Sequence, residues 1–399
     1  MLLLLLGHLI EVDTSRLDAA ASSRLEHVWQ DCLVDGDLTA AENVVRLLPS
    51  SEAMAAGEQD LVLGEVGLDH TYTVSQHLTS YAIRCAAGEL LMLHAAGLVP
   101  GREAQGVGDH APLPVVGVIA SSGTGKTTFC RRLSGESSYV TDETLAIRPE
   151  DLSVIAYPKP LSVVNEEPEK AAGLARHKAD HAPADLGLSS VSPDASAALA
   201  ALVIGERVSE GNELHPLRLT EALELAIAQS SSLYALEQPL RLLAELLTRA
   251  GGPWILRFSD QAKCGQILAD LAEQTEIRPV AWKHFPGPQP LTGGVSGSSG
   301  VLDVYSRPAL AADELLWRAP WDDAVESEGG VVLLFGRTPV TLGGPGAAVW
   351  LVLDGQMSLA QVHERVLAVM GEHPESWDLV AQAAHELVTQ GVLKVQIRP

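Results

Sequence analysis

Residues 114–133 read PVVGVIASSGTGKTTFCRRL, and this stretch decides the fold. Pro114 to Ala120 is a run of small and β-branched apolar residues without polar alternation, the pattern of a strand buried on both faces. Ala120-Ser121-Ser122-Gly123-Thr124-Gly125-Lys126-Thr127 then fits the spacing GxxxxGK[ST], with Ala120 in place of the first glycine. The chemistry of a bound phosphate explains the residue types. Backbone N–H groups must curl around the phosphate oxygens, which Gly123 and Gly125 permit. Lys126 reaches the β- and γ-phosphates, and the Thr127 hydroxyl is a ligand for Mg²⁺. A helix over Thr127 to Leu133 is expected to turn its positive N-terminal end to the anion. A buried strand entering and a helix leaving distinguish such a loop from a chance Gly/Ser turn.

Working outward, the residues before the loop predict a helix from Val74 to Gly88, with Leu78, Tyr81, Ala82 and Cys85 on one face, then a buried strand over Glu89 to Val99. After the loop, Ser138-Tyr139-Val140-Thr141-Asp142-Glu143-Thr144 places two carboxylates at the end of a strand. Alternation along that strand would point Asp142 and Glu143 in different directions, one to a metal and one to an acceptor hydroxyl. Tyr157-Pro158-Lys159-Pro160-Leu161 offers Lys159 either as a cation for a transferred phosphoryl group or as a surface lysine in a Pro-rich turn. Residues 163–190 are polar and Ala/Pro-rich and read as a mobile connection. Helices are expected at about 195–205, 219–230 and 239–250. Arg257, on a strand, is a minor candidate to face a nucleotide cleft.

PGPQPLTGGVSGSSG, residues 286–300, marks the clearest boundary. The division expected is a β-rich portion over 1–72, a nucleotide-binding domain over 73–285, a linker over 286–306 and a small domain over 307–399. In the last, Val331–Phe335 and Thr338–Leu342 flank Gly336-Arg337, a pair suited to a tight hairpin. A short helix around Val349 and Leu353 stops at Asp354-Gly355. Ser358 and Gln361 have capping-box spacing before a helix ending near Gly371. A third helix over 376–390 closes at Gly391 before a last strand. The arrangement is winged-helix-like.

Composition narrows the function. The 399 residues hold 27 Lys and Arg against 51 Asp and Glu, a net charge of −24. That excludes general nucleic-acid binding, which needs clustered basic residues, and argues against anionic lipid. Residues 307–399 carry 6 basic and 12 acidic side chains, so the winged-helix pattern there does not read DNA. Four scattered cysteines form no zinc or disulfide framework, and His177 and His181 lack a third ligand. No apolar run reaches bilayer-spanning length, and the expected home is the cytoplasm. Residues 1–300 carry −17, so nucleotide affinity is expected to rest on backbone amides, Lys126 and a metal.

Leu93-His94-Ala95, the phosphate loop and Val140-Thr141-Asp142-Glu143 together resemble the catalytic core of HPr kinase/phosphorylase-like enzymes over about residues 75–270. The resemblance implies an α/β nucleotide fold of the phosphoenolpyruvate-carboxykinase type for that part of the chain, beside the β-rich N-terminal portion and the small C-terminal winged-helix-like α+β domain read above. It implies ATP and Mg²⁺ as cofactors, with Ser121, Ser122, Gly123, Thr124, Gly125, Lys126 and Thr127 at the nucleotide and Thr127 and Asp142 at the metal. His94 matches a histidine on the strand before the loop. The acidic pair supplies metal binding and the general base; the second acid here is Glu143 rather than Asp, which leaves open which does which. The RGLG-type element that such enzymes associate with phosphorolysis is absent, so neither that activity nor HPr as substrate is implied.

VVLLFGRTPVTL, GAAVWLVLDGQMSLAQVHERV and LVAQAAHELVTQGVLKV, all within 307–399, resemble PqqD-like domains, which bind a leader peptide as an added strand. Together the two resemblances imply a kinase that phosphorylates a hydroxyl of a ribosomal precursor peptide. Lys126, Asp142, Glu143, His94 and Lys159 are its candidate catalytic residues. A nucleotide-switched leader chaperone and a small-metabolite kinase of the serine type are the alternatives. A homo-oligomer is left open.

Overall fold

A computed structural model of the chain describes residues 1–36, 43–63, 70–101, 111–164, 178–274, 278–288 and 309–396. Among them the architecture is mixed α/β with several separate sheets. The chain divides into two compact units. The first takes in residues 1–217, 225–237 and 245–279, so the N-terminal strands and the phosphate loop share one unit. The second takes in 218–224, 238–244 and 280–399.

In the first unit, β1 (Leu2–Leu5) and β2 (His8–Asp13) form a hairpin, followed by α1 (Ala19–Val28). β3 (Asn43–Pro49) and β4 (Leu61–Leu63) extend this sheet in parallel. α2 (Thr71–Cys85) buries Val74, Leu78 and Ala82, as its spacing predicts. These join Leu3, Ile10, Trp29 and Val45 in one core that also reaches Met92, Ala146 and Tyr157.

The larger sheet carries the loop. It is built from β5 (Leu91–Pro100), β6 (Leu113–Ile119), β7 (Ser137–Thr141), β8 (Thr144–Ile147), β9 (Val154–Ile155), β12 (Ala197–Arg207), β13 (Asn212–Pro216), β14 (Ser230–Ser231) and β15 (Trp254–Phe258). Its order is β13-β15-β12-β6-β5-β8-β9, with β7 and β14 also beside β5. β6 lies between β12, to which it is parallel, and β5, to which it is antiparallel. A central strand covered on both faces has to be apolar throughout, which is why PVVGVI lacks alternation. Phe129, Cys130, Val116, Val118, Leu256 and Phe258 close the core on the side of the loop's helix, α3 (Lys126–Arg132).

Two expectations are overturned. Residues 195–205 are not a helix: β12 runs through Ala197–Arg207, paired to β6 and β15. The alanines suit a helix by propensity, but burial between two strands outweighs it, and small side chains let the neighbours approach. The segment 163–190 is not simply a mobile connection. β10 (Leu161–Val164) pairs antiparallel with β11 (Lys178–His181), and Asp180 on β11 is fully buried. Residues 165–177, with His177, lie outside the described residues. His215 lies on β13 beside Glu213. The further helices of the chain's middle part are α4 (Leu219–Ile227), α5 (Pro239–Arg249) and α6 (Gly265–Ala272).

The second unit has a four-stranded antiparallel sheet, β16 (Trp282–Pro286), β18 (Asp323–Ser327), β19 (Gly330–Phe335) and β20 (Thr338–Leu342), in that order. β16 therefore lies with this unit, although the expected division put Trp282–Phe285 in the nucleotide-binding domain and began the linker at Pro286. Most of that linker is outside the described residues. Gly336 has φ 58° at the β19–β20 turn, the left-handed angle a two-residue hairpin needs. A smaller sheet joins β17 (Leu315–Arg318) to β21 (Met357–Ser358) and β22 (Leu393–Gln396). α7 (Gly344–Val352), α8 (Leu359–Met370) and α9 (Ser376–Thr389) pack Trp350, Val362, Val366, Ala384 and Leu387 into one core. The Ser358–Gln361 capping box forms at the start of α8.

Candidate functional site

β6 ends at Ile119, and the loop leaves it exposed at Ser121, Ser122 and Gly123. Gly123 and Gly125 hold φ of 85° and 100°, backbone angles that cost an L-residue energy and glycine little. Gly125 caps the start of α3, and Phe129 N donates to its carbonyl at 2.8 Å. The hydroxyls of Ser121 and Thr124 lie 3.0 Å apart across the loop. Ala120, the departure from the motif, is accommodated by the neighbouring strand. A Cβ on Gly205 of β12 would sit only 2.9 Å from Val118 Cγ1 but 3.5 Å, an ordinary contact, from the Ala120 Cβ, so glycine there lets β12 and β6 approach.

Lys126 is buried and donates to the carbonyls of Ala120 and Ser121 at 2.5 and 3.0 Å. Burial lowers its ammonium to about 8, against the opposing pull of Asp142 and Glu143. The Thr127 hydroxyl donates to Asp142 Oδ2 at 2.6 Å. Two hard oxygen donors thus converge beside the loop, the kind Mg²⁺ takes when phosphate and water complete its shell. Among the described residues, no three or more His, Cys, Asp or Glu form a group able to hold a metal ion.

The acidic pair differs from its expected geometry. Asp142 and Glu143 follow β7 in a bend, where Thr141 Oγ1 accepts from the backbone N–H of Glu143 and of Thr144, both at 3.3 Å. Strand alternation therefore does not separate them. Lys159 Nζ lies 3.0 Å from Glu143 Oε2 and 3.5 Å from Asp142 Oδ1, and also donates to Pro160 O. Its side chain is 2 % exposed, which removes the surface-lysine reading. It lies in an irregular segment before β10 rather than on a strand. Burial alone would lower the Lys159 ammonium, but the two carboxylates raise it strongly, so it is a fixed cation.

The two carboxylates are unequal. Asp142 is buried, between Thr127 and the Tyr139 hydroxyl, which lies 3.1 Å from its Oδ1. The side chain of Glu143 is 25 % exposed. Burial works to raise its carboxyl, but Lys159, His94 and a hydrogen bond from Gln76 outweigh this and hold it below the usual value. His94, on β5 opposite Thr144, is half-buried. Burial and the Lys126 charge push its imidazole down, partly offset by Glu143 and Asp142. The structure thus brings together His94, Lys126, Thr127, Asp142, Glu143 and Lys159. Arg257 is not among them: it pairs with Glu206 on the adjacent strand at 2.9 Å. Cys130 is packed, its thiol raised by burial.

The sequence reading missed Tyr139, Gln76 and Gln261. Gln261 is buried, and its Nε2 would lie 3.1 Å from a Cβ on Gly125, so it backs the loop. Only folding brings it there, 136 residues on from Gly125 in the chain.

In the second unit, a groove of about 340 Å³ lies where the end of β20, at the edge of the described sheet, and the start of α7 meet α9, lined by Thr341, Leu342, Pro345, Leu379, Ala383 and Glu386 among others. A separate cleft of about 360 Å³ in the first unit, lined in part by Leu4, Asp31 and Asp194, shares no residue with the loop. No helix among the described residues is long and apolar enough to cross a membrane. A scan against protein-family models finds no match, and no curated protein matches the chain.

Proposed function

We propose that the chain is an ATP-dependent kinase of the HPr-kinase-like type that phosphorylates a hydroxyl of a ribosomal precursor peptide. The observation that carries this reading is one cluster: the phosphate loop's Lys126 and Thr127 against the Asp142–Lys159–Glu143 network. When bound, Mg²⁺–ATP supplies the transferable phosphoryl group and neutralises its charge. Thr127 and Asp142 would hold the metal, and Lys126 with the loop amides would hold the phosphates. Glu143, the more exposed acid, would take the acceptor's proton. Its depressed carboxyl keeps it ionised at neutral pH, and Lys159 beside it fixes its place. His94 lies near enough to feel the charges of both Lys126 and Glu143 and helps hold the Glu143 carboxyl down.

The groove beside β20 favours a peptide over a free metabolite. An edge strand has unpaired backbone groups, and an extended leader segment would add to it with side chains in the groove. Incubation with γ-labelled ATP and a candidate precursor peptide tests the reading. Label on the peptide, lost in Lys126→Ala, supports it. Free phosphate alone points to a nucleotide-switched chaperone instead. Activity that persists after removal of residues 301–399 points to a metabolite kinase. No label transfer and no hydrolysis above the Lys126→Ala background overturns every nucleotide-dependent role.

A further inference from the structure

Tyr139 is fully buried on β7, three residues before the acid it touches. Its hydroxyl lies 3.1 Å from Asp142 Oδ1 and 3.1 Å from the Lys159 carbonyl. One proton is thus placed between a carboxylate of the site and the backbone of the segment that delivers Lys159. Of the two acceptors the charged one forms the stronger bond. The other carboxylate oxygen, Oδ2, is then left for the Thr127 hydroxyl at 2.6 Å. Lys159 approaches Oδ1 only to 3.5 Å, so Tyr139 is its nearer partner. A buried donor fixed to one oxygen opposes rotation of the carboxylate about its Cβ–Cγ bond.

We propose that Tyr139 is the positioning residue of the divalent-cation site: by holding Asp142 Oδ1 it keeps Oδ2 aimed at Thr127, and so sets the affinity for the metal that accompanies the nucleotide. The inference rests on the phosphate-loop reading. It assigns to a residue outside the loop, touching neither nucleotide nor acceptor, control over metal occupancy. Partners of this kind behind a metal ligand commonly change metal affinity by about 10–100-fold when removed.

The test uses the full chain, Mn²⁺ as probe and a non-hydrolysable ATP analogue, with free Mn²⁺ read by electron paramagnetic resonance. Tyr139→Phe keeps the ring in its buried place and deletes only the hydroxyl. We expect Mn²⁺ binding in the presence of the analogue to weaken at least about 10-fold in Tyr139→Phe. Asp142→Asn should weaken it as well, and adding Tyr139→Phe to Asp142→Asn should weaken it no further, because the hydroxyl acts through that carboxylate. A merely structural tyrosine would lower the melting temperature and add its cost in both backgrounds. If Tyr139→Phe binds Mn²⁺ within twofold of the wild type, the inference is overturned and the phosphate-loop reading stands. A loss as large in the Asp142→Asn background also overturns it. If the wild type binds no Mn²⁺ with the analogue, the phosphate-loop reading falls and the inference with it. Should Tyr139→Phe not fold, Tyr139→His in the same comparison supplies a smaller ring with a donor, and retained affinity there together with loss in Tyr139→Leu supports the inference. Equal affinity in both overturns it.

Discussion

Replacing Lys159 with methionine separates the electrostatics of the site from its packing. The methionine stem fills most of the lysine's volume but leaves Asp142 and Glu143 facing one another without their shared cation. At an effective dielectric of about 20, each lysine–carboxylate attraction is worth roughly 5 kcal/mol before desolvation. The distances are 3.0 and 3.5 Å, and Lys159 is 2 % exposed. Breaking a buried pair typically costs about 3–5 kcal/mol net. The lower end applies here. Glu143 is 25 % exposed and can be solvated, while Asp142 keeps the Thr127 and Tyr139 hydroxyls. A loss of about 3 kcal/mol follows, or about 6–12 °C in Tm. The pH dependence has a definite sign. A carboxyl held below its ordinary value, near 4.5 for Glu143, stabilises the fold above that value. The contribution is lost as pH falls through the folded-state value. The variant has no such contribution to lose, so the gap to wild type should narrow between pH 7 and pH 4. Urea unfolding at both pH values measures it. A loss below about 1 kcal/mol, or a gap unchanged across that range, would refute the buried three-charge network.

Three further outcomes are expected. Lys126 titrates at about 8, so ATP affinity measured by fluorescence should fall as pH rises from 7 to 9; Lys126→Arg should abolish that dependence. Gly123→Ala forces an L-residue to φ 85°, costs about 1–2 kcal/mol by thermal melting and weakens ATP binding. Asp323 is fully buried, accepts from the amides of Leu240, Arg241 and Ala324, and pairs with His284 at 2.6 Å. Asp323→Ala should therefore destabilise the second unit by about 3 kcal/mol, seen as a lowered calorimetric transition.

Local signals in the sequence carried the loop well. The β6 apolar run, the positive-φ glycines and the Ser358 capping box depend on neighbours within a few residues, and each takes the expected form. β12 was misread because Ala197–Arg207 meets its deciding partners, β6 and β15, only on folding. The acid pair was half legible. Its residues were recognisable, but Thr141 turns the chain out of strand geometry and so defeats alternation. Lys159 was ambiguous because its burial depends on Asp142 and Glu143, more than a dozen residues earlier. Tyr139 carried no chemical signature: in the sequence it is an aromatic residue on a buried strand, and only the distance to Asp142 gives its hydroxyl a role.

The central claim is that an acidic chain of net charge −24 holds a nucleotide through one loop and a metal. Calorimetric titration of ATP into the full chain, with Mg²⁺ and then with EDTA, tests it most directly. Saturable binding with Mg²⁺ that collapses in EDTA and is absent in Lys126→Ala is the predicted result. Binding that persists undiminished in EDTA, or that survives in Lys126→Ala, would contradict the account.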